Sequence, residues 1–272
     1  MRGHLLLIAT TVILLSLGFF WVGAKLWRTI QSRLGRLILL SVSYLLSIPG
    51  LLFTLYYTHL FDGAAWFYNL RIFPFSELFA SCLGLLAGVL FVQFELEGRI
   101  QKAAIPIGLA AFLSVPYLKP LLDPVDLDRL KTSCPGEVCL QSTPSTCGPN
   151  SVATILKTFG DTVSEKQITE EAFTSHGGTE IWYLARVFQH RGFSTRVVLQ
   201  APSQLDPPLP SVAGVVLPGG VGHFIAIIRK DGDQFTLADP LKGKMDVRRS
   251  ELASTYHFTG FFLAISKNAQ SN

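Results

Sequence analysis

Two uninterrupted apolar runs limit what this chain can fold into. Leu5 to Ala24 spans 20 residues without a charge and Leu37 to Phe61 spans 25. As helices rising about 1.5 Å per residue, both are long enough to cross about 30 Å of hydrocarbon. Leu78 to Phe94 adds 17 residues and can be extended back to Ser76, and Ala103 to Leu118 adds 16 that include Pro106 and Pro116. The first run exceeds the roughly 7–15 apolar residues of a signal peptide. No small-x-small cleavage site separates it from the next charges, so it reads as a span. Residues 1–119 are therefore expected to be a helical membrane anchor with spans near 5–24, 37–60, 76–94 and 103–118.

Composition agrees once it is divided. The 272 residues are 49% hydrophobic and 15% charged, against about 25% charged in an ordinary soluble domain. Intrinsic disorder, which needs low hydrophobicity and high net charge, is excluded. The net charge of +4 comes from residues 1–120, with 9 Lys+Arg against 4 Asp+Glu; residues 121–272 hold 14 against 15. The positive balance thus belongs to the anchor, and a basic nucleic-acid binder is excluded.

Lys25, Arg28, Arg33 and Arg36 fall in the first connection, Arg71 alone in the second, and Arg99 and Lys102 in the third. The positive-inside rule places connections one and three in the cytoplasm. With four spans, the C-terminal half is then extracytoplasmic; if the fourth run does not cross, that half is cytoplasmic. Tyr56, Tyr57, Trp66, Phe67 and Tyr68 around the second connection read as an interfacial aromatic belt. Ala80, Gly84 and Gly88 repeat every four residues, spacing that lets helix backbones approach within the bundle or across a dimer. No charged residue lies deep in a confident span, so this half reads as anchor or scaffold rather than transporter.

From about Pro120 the signals become those of a globular domain. Asp-Pro-Val-Asp-Leu-Asp opens a linker (120–140), and the domain itself is expected over 141–267. Val152, Ile155, Leu156 and Phe159 mark one face of a helix from Cys147, ended by Gly160. Ser164 with Gln167 signals a second helix to about Phe173, and a third runs from about Thr179 to Arg191. Strands follow at 193–199, 212–217, 223–229, 234–238 and 261–265, with Asp231-Gly232 as a hairpin turn. Helices first and strands afterwards indicate an α+β domain.

Cys147 falls on the first turn of an amphipathic helix. Free amides and the helix dipole there favour the thiolate, the nucleophilic form of cysteine. His223 follows the glycine-rich Gly219-Gly220-Val221-Gly222 and opens the apolar run Phe224–Ile228. Asp239 ends the strand paired to it, and a hairpin brings such a residue back beside His223, where it can fix the imidazole tautomer. Gln141, just ahead of the helix, can donate to an oxyanion beside the Cys147 amide. Together these are a nucleophile, a base, an orienter and an oxyanion donor.

The combination Gln141-x5-Cys147-Gly, a helix, then His223-Phe-Ile-Ala-Ile and Ala238-Asp239-Pro240 resembles the double-glycine, or bacteriocin-processing, family of papain-like cysteine peptidases. The resemblance covers roughly Gln141 to Ile265. It implies a papain-like fold, a bacterial plasma membrane, and cleavage of a peptide or protein substrate after small residues, often a Gly-Gly pair ending a leader. It also implies Cys147 as nucleophile, His223 as base, Asp239 as orienter and Gln141 as oxyanion donor. Thr146 stands where an acidic residue commonly precedes the cysteine. Members that process exported peptides carry this domain ahead of six spans and an ATPase, whereas here it follows the expected spans. No phosphate-binding G-x-x-x-x-G-K-[ST] loop occurs: Gly243-Lys244 has Ala238 at the needed glycine position and Met245 after it. ATP, metals and other cofactors are not expected, and a separate transporter is a candidate partner. A cell-wall amidase or transpeptidase using the same triad, and a non-catalytic leader-binding module, remain the alternatives.

Cys82 reads as packing in a span. Cys134 and Cys139 are either a small disulfide loop, which needs an oxidising compartment, or two free thiols. His4 and His59 mark membrane edges, His176 and His190 lie near helix ends, and His257 is the reserve base.

Overall fold

The computed structural model describes residues 2–58, 63–94 and 99–267. His59, Phe61 and the expected end of the second span lie outside them. The chain divides into two compact units. One comprises Met1–Asp62 and Phe75–Leu121, the other Gly63–Pro74 and Leu122–Asn272.

In the first unit, apolar composition gives helices α1 (Arg2–Thr29) and α2 (Arg33–Leu55). After the second connection come a 3-10 segment, Ser76–Cys82, continuing into α4 (Leu83–Gln93), and then α5 (Arg99–Leu122). Three helical stretches are long and apolar enough to cross a membrane: Gly3–Thr29, Arg33–Thr58 and Ser76–Gln93. The apolar part of α5, Ala103–Ser114, is shorter. Leu7, Leu14, Trp21, Leu34 and Leu37 are all more than half exposed.

The small-residue stripe is consumed within the bundle. A Cβ at Gly84 would lie 2.0 Å from the Ser16 carbonyl oxygen, one at Gly88 2.0 Å from that of Phe20, and one at Gly23 2.3 Å from that of Leu85. Helices α1 and α4 therefore meet backbone to backbone through glycines contributed by both. Buried Ser47 donates to the carbonyls of Ser43 (2.7 Å) and Cys82 (3.0 Å).

The second unit is built on a six-stranded antiparallel sheet. Its strands are β1 (Phe193–Leu199), β2 (Ser211–Leu217), β3 (Val221–Asp231), β4 (Gln234–Asp239), β5 (Gly243–Arg248) and β6 (His257–Lys267), in spatial order β1-β6-β2-β3-β4-β5. Helices α6 (Cys147–Thr158), α7 (Glu165–Glu171) and α8 (Ile181–Gln189) precede it, and a short α9 (Leu252–Thr255) lies between the last two strands. Val215, Ile225, Ile227, Phe235, Leu237 and Phe262 belong to its main buried cluster. Strand β5 was not expected from the sequence. Lys244, Asp246 and Arg248 alternate with Met245 and Val247 on this edge strand, and charge on an edge blunts further pairing. The β3–β4 register pairs Asp231 with Gln234, so the hairpin turn is Gly232-Asp233.

Two of the five aromatics read as an interfacial belt, Phe67 and Tyr68, are instead taken up in the second unit, whereas Trp66 is exposed. The second connection forms α3 (Ala65–Ile72), which is part of the second unit. Phe67 and Tyr68 are buried, and the Tyr68 ring meets Phe261 edge-on at 4.9 Å. Asn69 uses both ends of its amide on one residue of edge strand β1. Its Oδ1 accepts from the Val197 N–H at 2.9 Å and its Nδ2 donates to the Val197 carbonyl at 3.0 Å. Arg186 of α8 donates to the carbonyls of Arg71 (2.7 Å) and Phe73 (3.2 Å), satisfying the C-terminal end of α3. The Arg71 guanidinium in turn lies 4.6 Å over the Trp182 ring.

Cys134 and Cys139 form a disulfide. Glu137 within that loop pairs with Arg229 of β3 at 2.8 Å and Lys244 of β5 at 3.0 Å. Lys157 of α6 donates to the carbonyls of Cys134 and Gly136.

Candidate active site

Cys147 is the first residue of α6 and is 8% exposed. The helix is anchored by fully buried Val152, Ile155 and Leu156. A Cβ at Gly148 would lie 2.8 Å from Leu184 Cδ1, so glycine lets the cysteine turn seat closely on α8. Ser151 donates to the Phe224 carbonyl at 3.2 Å, tying the same helix to β3 one residue beyond His223.

The strand register brings His223 and Asp239 together. Ala226 pairs with Ala238, so continuing that register sets Asp239 opposite Ile225, two residues from His223 on the same face. Diagonal neighbours of this kind are within reach of long side chains. His223 Nε2 lies 2.8 Å from Asp239 Oδ1, with both side chains buried. Oδ1 also accepts the Leu241 N–H at 2.8 Å, and Oδ2 accepts the Tyr256 hydroxyl. With Nε2 engaged, Nδ1 is the ring nitrogen left for the Cys147 side chain.

Burial opposes charge on His223. It is the largest single influence, but the hydrogen bonds to Asp239 and Cys147 and the charges of both together outweigh it, and the imidazole is pushed up to about 9. Burial likewise opposes the Asp239 carboxylate, but hydrogen bonds from His223, Tyr256 and the Leu241 amide hold it below the usual carboxylate range.

Gln141 lines the same cleft, a cavity of about 290 Å³ bounded by Thr143, Pro144, Leu217, Gly222, His223 and Leu241. Its backbone N–H donates to the Pro240 carbonyl at 3.0 Å and its Nε2 to the Thr143 carbonyl at 2.7 Å. The next residue is clamped by a fully buried carboxylate, Glu165. Glu165 Oε1 accepts the Ser142 N–H and Asn150 Nδ2, both at 2.8 Å, and Oε2 accepts the Ser142 hydroxyl. The Gln141 loop is thereby fixed to the first turn of the cysteine helix.

All four residues singled out in the sequence thus belong to one end of the sheet and the adjoining helix start. His257 is exposed at the start of β6 and lines a neighbouring cavity with Val216, Lys242 and Tyr256. It does not line the cleft of His223. The backbone of His176 bonds Asp123 and Ser145, and His190 ends α8. Sequence reasoning missed Tyr256 and Glu165. Glu165 had a faint signal, an acidic residue directly after the helix-capping Ser164; Tyr256 had none.

The peptidase C39 family model matches residues 136–270. An uncharacterized protein of Methanothermobacter marburgensis is 31% identical over 127 residues, covering 47% of this chain and 86% of that protein. The lactococcin-G-processing and transport ATP-binding protein LagD of Lactococcus lactis is 26% identical over 130 residues, but the match spans only 18% of LagD. Among solved structures, a double-glycine-motif protease from an AMS/PCAT transporter, in complex with a leader peptide, is 20% identical. That match covers 54% of this chain and 99% of the other, with a TM-score of 0.42. Through its C-terminal half, this chain belongs to the peptidase C39 family.

Proposed function

We propose that this protein is a membrane-anchored cysteine peptidase. The observation that carries the reading is the buried His223–Asp239 pair at 2.8 Å, in one cleft with Gln141 and bearing on Cys147 at a helix start. In this reading His223 Nδ1 takes the thiol proton, and Sγ bonds to the scissile carbonyl carbon. The resulting oxyanion accepts from the Cys147 N–H and from the second Nε2 hydrogen of Gln141, the first being held by Thr143. Collapse expels the amine, which takes the proton from His223. Water, deprotonated by the same imidazole, then cleaves the thioester, releasing the acid and restoring the thiol. Asp239 holds the imidazole and stabilises its charged form. The likeness to LagD, a lactococcin-G-processing protein, supports a peptide precursor as substrate, with cleavage after glycine as the specificity to examine first and a separate transporter as the candidate partner.

The anchor is proposed to cross four times. The chain leaves the C-terminal unit at Pro74 and re-enters it at Leu122. In this reading the intervening segment crosses the bilayer an even number of times, and Ser76–Gln93 is long and apolar enough for one crossing. Helix α5, with 24 residues and thus about 36 Å of rise, supplies the return. Its prolines and terminal cations lower its hydropathy, yet proline is tolerated in membrane helices. With four basic residues in the first connection, the peptidase unit is then extracytoplasmic, which suits the Cys134–Cys139 disulfide.

Alkylation of Cys147 by iodoacetamide in the full-length protein tests the chemistry. Reaction faster than N-acetylcysteine at neutral pH, lost in His223→Ala, is expected; an ordinary rate unaffected by His223 refutes it. Product ends from a peptide library, read by mass spectrometry, test cleavage after glycine. A membrane-impermeant maleimide applied to intact cells should label Cys134 and Cys139 only after reduction. Labelling that requires permeabilised cells would reverse the orientation.

A further inference from the structure

We propose that Tyr256 is a positioning residue for the thiol–imidazole pair, holding Asp239 in the orientation that presents Oδ1 to His223. The inference rests on the peptidase reading of Cys147 and His223. Asp239 is fully buried, and its carboxylate must find a donor for each oxygen without water. Oδ1 has His223 Nε2 and the Leu241 amide, each at 2.8 Å; the donor to Oδ2 is the Tyr256 hydroxyl. Rotation of the carboxylate would exchange the oxygens and misalign the 2.8 Å contact to His223, and the phenol locks it from the far side.

Tyr256 is itself immobilised. It is 5% exposed at the end of α9, its ring packs edge-on against Phe258 with centroids 6.2 Å apart, and the Lys242 ammonium lies 4.8 Å over its face. Burial, and then the Asp239 carboxylate, push phenol ionisation above its usual range, so the hydroxyl remains a donor wherever the enzyme works. The titratable or charged groups facing this assembly are His223 from β3, Cys147 from α6 through His223, Lys242 from the turn after β4, and His257, which follows Tyr256 and shares its cavity.

A purely structural tyrosine would affect how much protein folds; a positioning tyrosine affects the pH at which Cys147 becomes reactive. Without the phenol donor, Asp239 is protonated at higher pH, His223 loses its counter-charge there, and thiolate formation needs a higher pH. Tyr256→Phe keeps the ring, the Phe258 contact and the Lys242 packing. In the full-length membrane protein, the rate of Cys147 alkylation by iodoacetamide is followed against pH by mass spectrometry. The labelled amplitude, which reports folded protein, is fitted separately from the rate. We expect the acid limb of Tyr256→Phe to move up by about half a pH unit or more, a roughly threefold loss of rate at fixed pH on that limb. Lys242→Met should leave the limb in place. A Tyr256→Phe limb unmoved while the wild type shows His223-dependent reactivity overturns the role of Tyr256 alone, whatever happens to the amplitude. A limb moved equally by Lys242→Met also overturns it, because the shift would then not be specific to the phenol hydroxyl. Wild-type Cys147 reacting like an ordinary thiol, unaffected by His223→Ala, removes the peptidase reading and this inference with it.

Discussion

Asn69 offers the sharpest test of how the two ends of the chain depend on each other. Val197, whose N–H and C=O it satisfies at 2.9 and 3.0 Å, is 1% exposed and belongs to edge strand β1. Asn69→Ala removes both bonds without touching the sheet. Each hydrogen bond is worth about 1 kcal/mol net, and a buried backbone group left unpaired costs about 1–3 kcal/mol. Partial access of water from the edge brings the expected loss to about 2–4 kcal/mol. For a domain of this size each kcal/mol lowers the unfolding midpoint by about 2–4 °C, so a fall of roughly 5–15 °C follows. The assay is a temperature series of brief proteolysis on the full-length protein in detergent, with the surviving C-terminal fragment quantified by mass. Asn69→Asp, which keeps an acceptor for the Val197 N–H but sets a carboxylate against its carbonyl, should be destabilised at least as much. A midpoint for Asn69→Ala equal to that of the wild type would refute the claim that the inter-span helix completes the peptidase unit, and would remove the even-crossing argument built on it.

Further outcomes follow from other parts of the structure. His223 has its folded value raised from 6.5 to about 9, so its stabilising contribution is fully present below 6.5 and fades as pH rises to about 9. Thermal midpoints of the wild type should fall across that window, and His223→Gln should flatten the slope; a slope unchanged by the substitution would contradict the assignment. Asp239→Ala removes the hydrogen bond that most raises His223, so NMR titration of the His223 imidazole should show its midpoint lowered by at least about one unit, a tenfold change in its charged-to-neutral ratio. Gly84→Ala drives a Cβ to 2.0 Å from the Ser16 carbonyl, an overpacking expected to cost about 1–3 kcal/mol and measurable as earlier thermal aggregation in detergent. Reducing Cys134–Cys139, which closes a loop of sequence separation 5, should cost about 2 kcal/mol by loop entropy, read as a lower proteolytic midpoint in dithiothreitol.

Much of this architecture was legible in the sequence because its signals are local. Charge-free runs of 20 and 25 residues favour long helices, and the apolar face and terminating glycine of the segment from Cys147 mark the bounds of α6. The hairpin at residues 231–234 is short enough that its return brings Asp239 back towards His223, so this pairing could be expected before any contact was known. The strand signals failed where burial did not dictate the pattern. Strand β5, Gly243–Arg248, is an edge strand whose alternating charges read as a loop.

The sequence by itself determined long apolar helices, an α+β domain behind them, and Gln141, Cys147, His223 and Asp239 as candidate site residues, because periodicity, capping and turn chemistry act over a few residues. Tertiary structure alone decided what holds those residues. Tyr256 behind Asp239, Glu165 beneath Ser142, and Asn69 on the edge of β1 lie 17, 23 and 128 positions from their partners. No local pattern encodes contacts that distant, and only folding reveals which buried polar atom needs which donor. The same holds for α3. Its aromatics match a membrane interface in composition, and only packing against Phe261 and Trp182 makes it part of the peptidase unit.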